Sequence, residues 1–170
     1  AKRLRKKGLV RHIGFSTHAP LPVILDAINT GEFDYVNLHW YYINQQNWPA
    51  IEAARRNDMG VFIISLSDKC GYLYKPPARL IELCDPLSPI VFNDLFCLSH
   101  PEVHTLSIGA ARPTDFDEHV KTLDVLGLAD ELLPPIVERL EKAARERLGD
   151  EWLATWREGL PEFGQAPGYL

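Results

Sequence analysis

The chain has 170 residues, 46% hydrophobic and 24% charged, with a formal charge of −5. That length holds one ordinary domain with a real core, and the acidic balance argues against nucleic acid as the main partner, because phosphate neutralisation needs a basic surface. No apolar run reaches the roughly 20 residues of a membrane span, no signal peptide is visible, and three scattered cysteines without a C-x-x-C support neither a zinc knuckle nor an iron–sulfur cluster and suit a reducing cytoplasm.

Residues 2–7 are basic and read as the solvated last turn of a helix, with Gly8 as its stop. A strand is expected over 9–15, running into Ser16 and Thr17. A helix then opens at Pro20 or Pro22, carries Val23, Ile24, Ala27 and Ile28 at helical spacing, and stops at Gly31. The second strand is expected over 33–41, through Val36, Leu38 and Trp40. After a polar loop over 42–46, Asn47 is an N-cap and Pro49 a first-turn proline for a helix through Ile51, Ala54 and Arg55 to Asn57.

Gly60 leads into Val61, Phe62, Ile63 and Ile64, a continuous apolar run that predicts a strand buried on both faces. A long loop is expected from 65 to about 85, with Gly71, Pro76 and Pro77 in it. Ser88 and Pro89 cap a helix through Val91, Leu95 and Leu98, broken by Pro101. The fourth strand is expected over 103–108. Pro113 opens a helix with Phe116, Val120, Leu123 and Leu126 on one apolar face. Beyond Gly127 the chain reads as a charged helix over 132–156, striped by Ile136, Leu140, Ala144 and Leu148, and then as an extended tail over 159–170.

Four strands, each followed by a helix, make either an open doubly wound sheet or a barrel. No G-x-G-x-x-G occurs, which disfavours the doubly wound dinucleotide fold. Each strand ends in small or polar residues, where a ligand can sit at the carboxyl end of a parallel sheet.

Four stretches, in order, carry a resemblance. They are Gly8-x-x-Arg11-His12-Ile13-Gly14-Phe15-Ser16-Thr17, Phe33-Asp34-Tyr35-Val36-Asn37-Leu38, Met59-Gly60-Val61-Phe62-Ile63-Ile64-Ser65, and Ser99-His100-Pro101-Glu102-Val103 leading to Ser107-Ile108-Gly109-Ala110-Ala111-Arg112-Pro113. Over about residues 4–126 the chain resembles the aldo-keto reductases, in the branch with an added C-terminal helical region. The resemblance implies an α/β fold of the (β/α)8 TIM-barrel type, here its C-terminal half of four βα units, strands five to eight, plus a helical tail. Residues 1–127 would form the half-barrel and 128–170 the helical extension.

The resemblance also implies roles. Ser16 and Thr17, with Asn37, would hydrogen-bond a nicotinamide carboxamide, which needs both a donor and an acceptor. Ser65, Ser67, Lys69 and Gly71 would lie along the pyrophosphate. Gly109, Ala110 and Arg112 would meet the adenosine phosphate, where the charged fork of Arg112 suits a 2′-phosphate. Asp115, Glu118 and His119 fall near the adenosine end. Thr17, Leu66, Asp115 and His119 depart from the residues common there, and an acid at Asp115 is unhelpful beside phosphate. The family's catalytic Asp, Tyr, Lys and His have no matching positions in this chain.

The implied activity is NADP(H)-dependent reduction of a small carbonyl substrate, with NAD as the alternative cofactor, by a longer parent of which this portion alone is inactive. The rival readings are a non-catalytic half-barrel that binds nucleotide or self-associates through open edges, and an unrelated open-sheet module. Simpler roles stand beside the sharp ones. Ser16 and Thr17 could end a strand and cap a helix, and Asn37 could belong to a core network. His39, Trp40, Tyr41 and Tyr42 read equally as a ligand wall or as rim packing. His100 and His104 read as packing or surface residues, since no third ligand completes a metal site. Lys69 could be solvated, Cys70 lacks nucleophile partners, and Trp152 and Trp156 read as packing onto the barrel or a partner.

Overall fold

The four strands lie side by side in the order in which they occur along the chain. The computed structural model describes residues 1–67 and 69–160; the side chains of Lys69 and Cys70 and the tail beyond Leu160 lie outside the described residues. Strands β1 (Gly14–Ser16), β2 (Tyr35–Leu38), β3 (Gly60–Ile64) and β4 (Thr105–Ser107) are all parallel. Helix α1 (Lys2–Lys6) precedes them, α2 (Leu21–Asn29) and α3 (Trp48–Arg56) make the first two crossovers, and α4 (Ala78–Cys84) and α5 (Pro89–Leu98) make the third. After β4 come α6 (Phe116–Val120), α7 (Thr122–Val125), α8 (Ala129–Leu148) and α9 (Asp150–Thr155).

Consecutive parallel order with crossovers of one hand puts every connecting helix on one face, as in an arc of a (β/α) barrel. A doubly wound sheet would reverse its strand order and cover both faces. Phe15, Val36, Leu38, Val61, Ile63 and Leu106 project toward the helices and pack with Ile24, Ile28, Ala50, Ile51, Ala54 and Cys97. Val36, Leu38, Val61 and Ile63 are fully buried, each burial stabilising by roughly 1.5–3 kcal/mol.

The opposite face carries Gly14, Ser16, Tyr35, Asn37, Gly60, Phe62, Thr105 and Ser107, by the strand registers. The expectation that β3 is buried on both faces is corrected here: Val61 and Ile63 are sealed, whereas Gly60, Phe62 and Ile64 are half-buried. The physical reason is that helices cover one face only. On the open face the Tyr35 ring stacks on Phe62 at 5.1 Å between centroids. It lies over Gly14, where a Cβ would collide with it.

Strands β1, β2 and β4 are shorter than, or start later than, the sequence suggests, whereas β3 spans its whole apolar run and Gly60 besides. Leu9 is 69% exposed because residues 8 and 9 close α1 instead: Gly8 N–H donates to Arg5 O and Leu9 N–H to Leu4 O, with Gly8 at φ +70°. The chain leaves β2 early through a tight turn in which Tyr41 and Asn44 exchange backbone hydrogen bonds. Asn47 stands at the N-cap position of α3, but its side chain donates to His39 O and does not cap. Ser88 does cap α5, accepting from Val91 N–H at 3.2 Å.

The loop expected over 65–85 contains a 3₁₀ segment, Lys69–Tyr74, and the helix α4. Pro77 starts α4, and good helix formers follow it. The helix expected after Pro113 is broken into a 3₁₀ turn, α6 and α7. Its buried side chains are Asp115, His119 and Thr122, while Phe116, Val120, Leu123 and Leu126 are 40–64% exposed. The apolar face expected to pack inward therefore points outward, because the inner face is claimed by a polar network described below.

Helix α8 starts at Ala129 and packs through Ile136, Leu132, Leu133, Val137 and Leu140 against Cys84, Val91, Phe92 and Leu95. Arg139 binds the end of α4, donating to Leu83 O at 3.0 Å and to Asp85 O. The expected single helix to Trp156 is interrupted at Gly149, whose φ of +81° no helical residue adopts. Leu148 is 44% exposed and falls outside the packed stripe. Among the described residues no helix is long and apolar enough to cross a membrane.

Candidate functional site

The carboxyl ends of β3 and β4 open into a cleft of about 960 Å³. One wall is the segment after β3, with Ser65, Ser67, Gly71, Tyr72 and Tyr74; the other is the loop after β4, with Ser107, Gly109, Ala110, Arg112 and Asp115. Seven of the sequence-derived candidates meet here: Ser65, Ser67, Gly71, Gly109, Ala110, Arg112 and Asp115. The Lys69 side chain lies outside the described residues. Ser65 turns the chain at φ +62°, a left-handed conformation that costs a side-chain-bearing residue energy and gathers at functional positions. Behind it, Asn93 of α5 holds the turn, donating to Leu66 O at 2.8 Å and accepting from Tyr42 N–H at 3.2 Å.

Ser16, Thr17 and Asn37 form a second group, at the ends of β1 and β2. Ser16 pairs with Asn37 in register, and Thr17 N–H donates to Asn37 O at 3.1 Å. Thr17 Oγ1 accepts from Ala19 N–H at 3.0 Å, a local turn contact. Asn37 Oδ1 is buried and has no hydrogen-bond partner among the described residues. A buried acceptor left unpaired costs about 1–3 kcal/mol. Just beyond these residues, His18 Nδ1 and His39 Nε2 lie 2.9 Å apart. A further opening of about 740 Å³ lies between His18, Pro20, Asn44 and Gln46 on one side and Trp156 and Arg157 on the other. Trp152 and Trp156 stack on each other at 5.8 Å and stay nearly half exposed.

Glu118 and His119 do not face the cleft. Glu118 pairs with Lys121 at 2.6 Å, which holds its carboxyl below the usual range. His119 is turned inward: Nδ1 meets Asp94 Oδ2 at 2.5 Å and Nε2 meets the Tyr74 hydroxyl at 3.1 Å. Both ring nitrogens are thus engaged by the protein. Burial pushes the Asp94 carboxyl up, opposed by its hydrogen bond to His119. Burial, and then the charge of Asp115, push the Tyr74 phenol up.

Sequence reasoning missed Tyr74, Asp94 and His18 as site residues, and it named His39 only as part of an aromatic stretch and not as the partner of His18. No local spacing signals them, since the contacts span 45, 25 and 21 positions. His100 packs its ring on Trp40 and Trp48, and His104 Nδ1 accepts from Val61 N–H at 3.1 Å at the other end of the sheet. No group of three or more metal-ligating side chains occurs among the described residues.

No protein-family model and no curated protein matches the chain. Among solved structures it is similar to the holo form of an aldo-keto reductase from Bacillus halodurans, with a TM-score of 0.67 and 16% identity over 81% of this chain and 51% of that one. It is also similar to the apo form, with a TM-score of 0.61, 15% identity, 81% of this chain and 54% of that one. The chain spans about half the length of the solved structures it matches. At this level of identity the likeness establishes the fold, a partial (β/α) barrel.

Proposed function

We propose that this chain is the cofactor-binding side of an aldo-keto reductase-like barrel oxidoreductase that reduces a small aldehyde or ketone. The observation that supports the reading best is the placement of its polar candidates. Ser16 with Asn37, and Ser65 and Ser67 with Gly109 and Arg112, stand at the carboxyl ends of consecutive parallel strands, where barrel enzymes carry their chemistry. The buried, unpartnered Oδ1 of Asn37 and the strained Ser65 fit a site shaped for a ligand with amide and phosphate groups.

A nicotinamide dinucleotide, when bound, supplies the hydride. The residues of this chain bind and orient it. Asn37 and Ser16 provide the acceptor and donor that a carboxamide requires, and Thr17 fixes the turn beside them. Ser65, Ser67, Lys69 and Gly71 line the path of the pyrophosphate, and Gly109, Ala110 and Arg112 receive the adenosine end. NADP(H) is the form the family resemblance implies, through Arg112. In this reading the proton donor to the carbonyl oxygen belongs to further βα units that complete the barrel.

The test is titration of the purified chain with NADH and with NADPH, followed by nicotinamide fluorescence. Saturable binding to at least one dinucleotide is expected, weakened tenfold or more by Asn37→Ala. No binding of either overturns the reading.

A second reading, a half-barrel that pairs with another copy of itself, is favoured by the uncovered sheet face bearing Tyr35 and Phe62 and by the outward Phe116, Val120 and Leu123. Sizing of the chain at micromolar concentration tests it, and a well-behaved monomer excludes it.

A further inference from the structure

Asp115 lines the cleft with Arg112 in the loop after β4, where the reading above puts the adenosine end of the dinucleotide. Its Oδ2 accepts from Ala111 N–H at 2.9 Å and from Arg112 N–H at 3.0 Å. Its Oδ1 accepts from Arg112 Nε at 3.1 Å and from Nη2 at 2.9 Å. The carboxylate is 5% exposed. These bonds, the Arg112 backbone N–H first among them, hold its carboxyl below the usual range, so it is anionic at neutral pH. Two backbone donors and one fork of the guanidinium are therefore already bound to a negative charge that belongs to the protein.

A phosphate brought to this loop meets two obstacles. The donors best placed to receive it are taken up, and Arg112 is charge-compensated by its own neighbour. The approaching phosphate also faces the like charge of Asp115, while a hydroxyl at the same point meets no such repulsion and can hydrogen-bond a carboxylate. The residues present do not fit a 2′-phosphate.

We propose that Asp115 is a built-in anion that keeps phosphate off the loop after β4, so that the cleft selects the dinucleotide with a free 2′-hydroxyl, NAD(H), over NADP(H). This rests on the dinucleotide reading given above, and it reverses the cofactor form that the sequence resemblance implies.

Dissociation constants for NADH and NADPH, measured on the chain and on two variants, test it. The unmodified chain binds NADH at least tenfold more tightly than NADPH. Asp115→Asn raises NADPH affinity tenfold or more and leaves NADH within about threefold. Asp115→Ser, which keeps the test valid if Asp115→Asn fails to fold, raises NADPH affinity in the same direction. Equal or tighter binding of NADPH by the unmodified chain overturns the proposal, as does an unchanged NADPH affinity in a folded Asp115 variant. Binding of neither dinucleotide to any form overturns the dinucleotide reading itself, and this inference with it.

Discussion

Asp94 of α5 and His119 of α6 meet at 2.5 Å with their side chains 1% and 2% exposed. The other nitrogen of the ring holds Tyr74, in the segment after β3. One imidazole therefore ties together the two walls of the cleft and fastens α6 to α5. The same network decides which way α6 faces. A buried carboxylate must be hydrogen-bonded, so the polar side of α6 and α7 turns in and its apolar stripe turns out.

Removing His119 leaves the Asp94 carboxylate buried without its partner. His119→Ala is expected to lower unfolding stability by about 3–5 kcal/mol, read from urea denaturation at pH 7. Asp94→Asn keeps an oxygen for Nδ1–H and is expected to be milder. The pH dependence gives an independent check. The folded-state carboxyl of Asp94 is raised, so the folded protein binds this proton more tightly than the unfolded chain. Its contribution to stability is present below the unfolded value of about 3.9 and is lost as pH rises through the folded value. Asp115 has the opposite sign: its lowered carboxyl contributes above the unfolded value and is lost as pH falls through the folded one. Asp94→Asn should remove the first slope and keep the second.

The network also marks where sequence reasoning reached its limit. Helix periodicity assumes that apolar residues face the core, and the spacing of Phe116, Val120 and Leu123 obeys that rule perfectly while facing outward. What reverses it is the partnership of Asp94 and His119, 25 residues apart, which no local pattern announces. The βα cadence was legible because stops and caps punctuate the chain: Gly8, Gly31, and Ser88 with Pro89. Strand lengths were not, since a ladder extends only as far as its neighbour does, and Leu9 has none. Ser65, Ser67, Gly109 and Arg112 could be singled out through the family resemblance of the stretches that hold or adjoin them; Tyr74 lies deep in a segment whose Gly71, Pro76 and Pro77 read as loop.

Gly14 is required by the ring of Tyr35 above it. Gly14→Ala should destabilise the chain by about 1–3 kcal/mol, as overpacking does, and the Tyr35–Phe62 stack should be displaced. In a double-mutant cycle the penalty should largely vanish in the Tyr35→Ala background. An equal penalty in both backgrounds would place its origin in the backbone of β1.

Asn37 offers a trade between stability and binding. Among the described residues its Oδ1 has no partner, so Asn37→Val should raise stability by about 1 kcal/mol while weakening dinucleotide binding. Thermal melts of the free chain and fluorescence titration measure the two separately. Destabilisation by Asn37→Val would instead make this amide part of an internal network.

The outward stripe can be tested against the inward one by truncation. Phe116 is 45% exposed and Leu123 64%, whereas Ile24 and Ile136 are 1% and 0% exposed. If periodicity alone governed packing, Phe116→Ala would be a core truncation of about 3–5 kcal/mol. The geometry assigns it a surface substitution, with Leu123→Ala alike, each within about 0.5 kcal/mol. Ile24→Ala and Ile136→Ala empty sealed positions against α3 and α5 and should cost about 2–5 kcal/mol each. Urea midpoints at fixed slope for the four variants separate these cases. A large loss for Phe116→Ala that depends on protein concentration would show the stripe covered by a second copy of the chain, because a contact between molecules weakens on dilution and a contact within one does not.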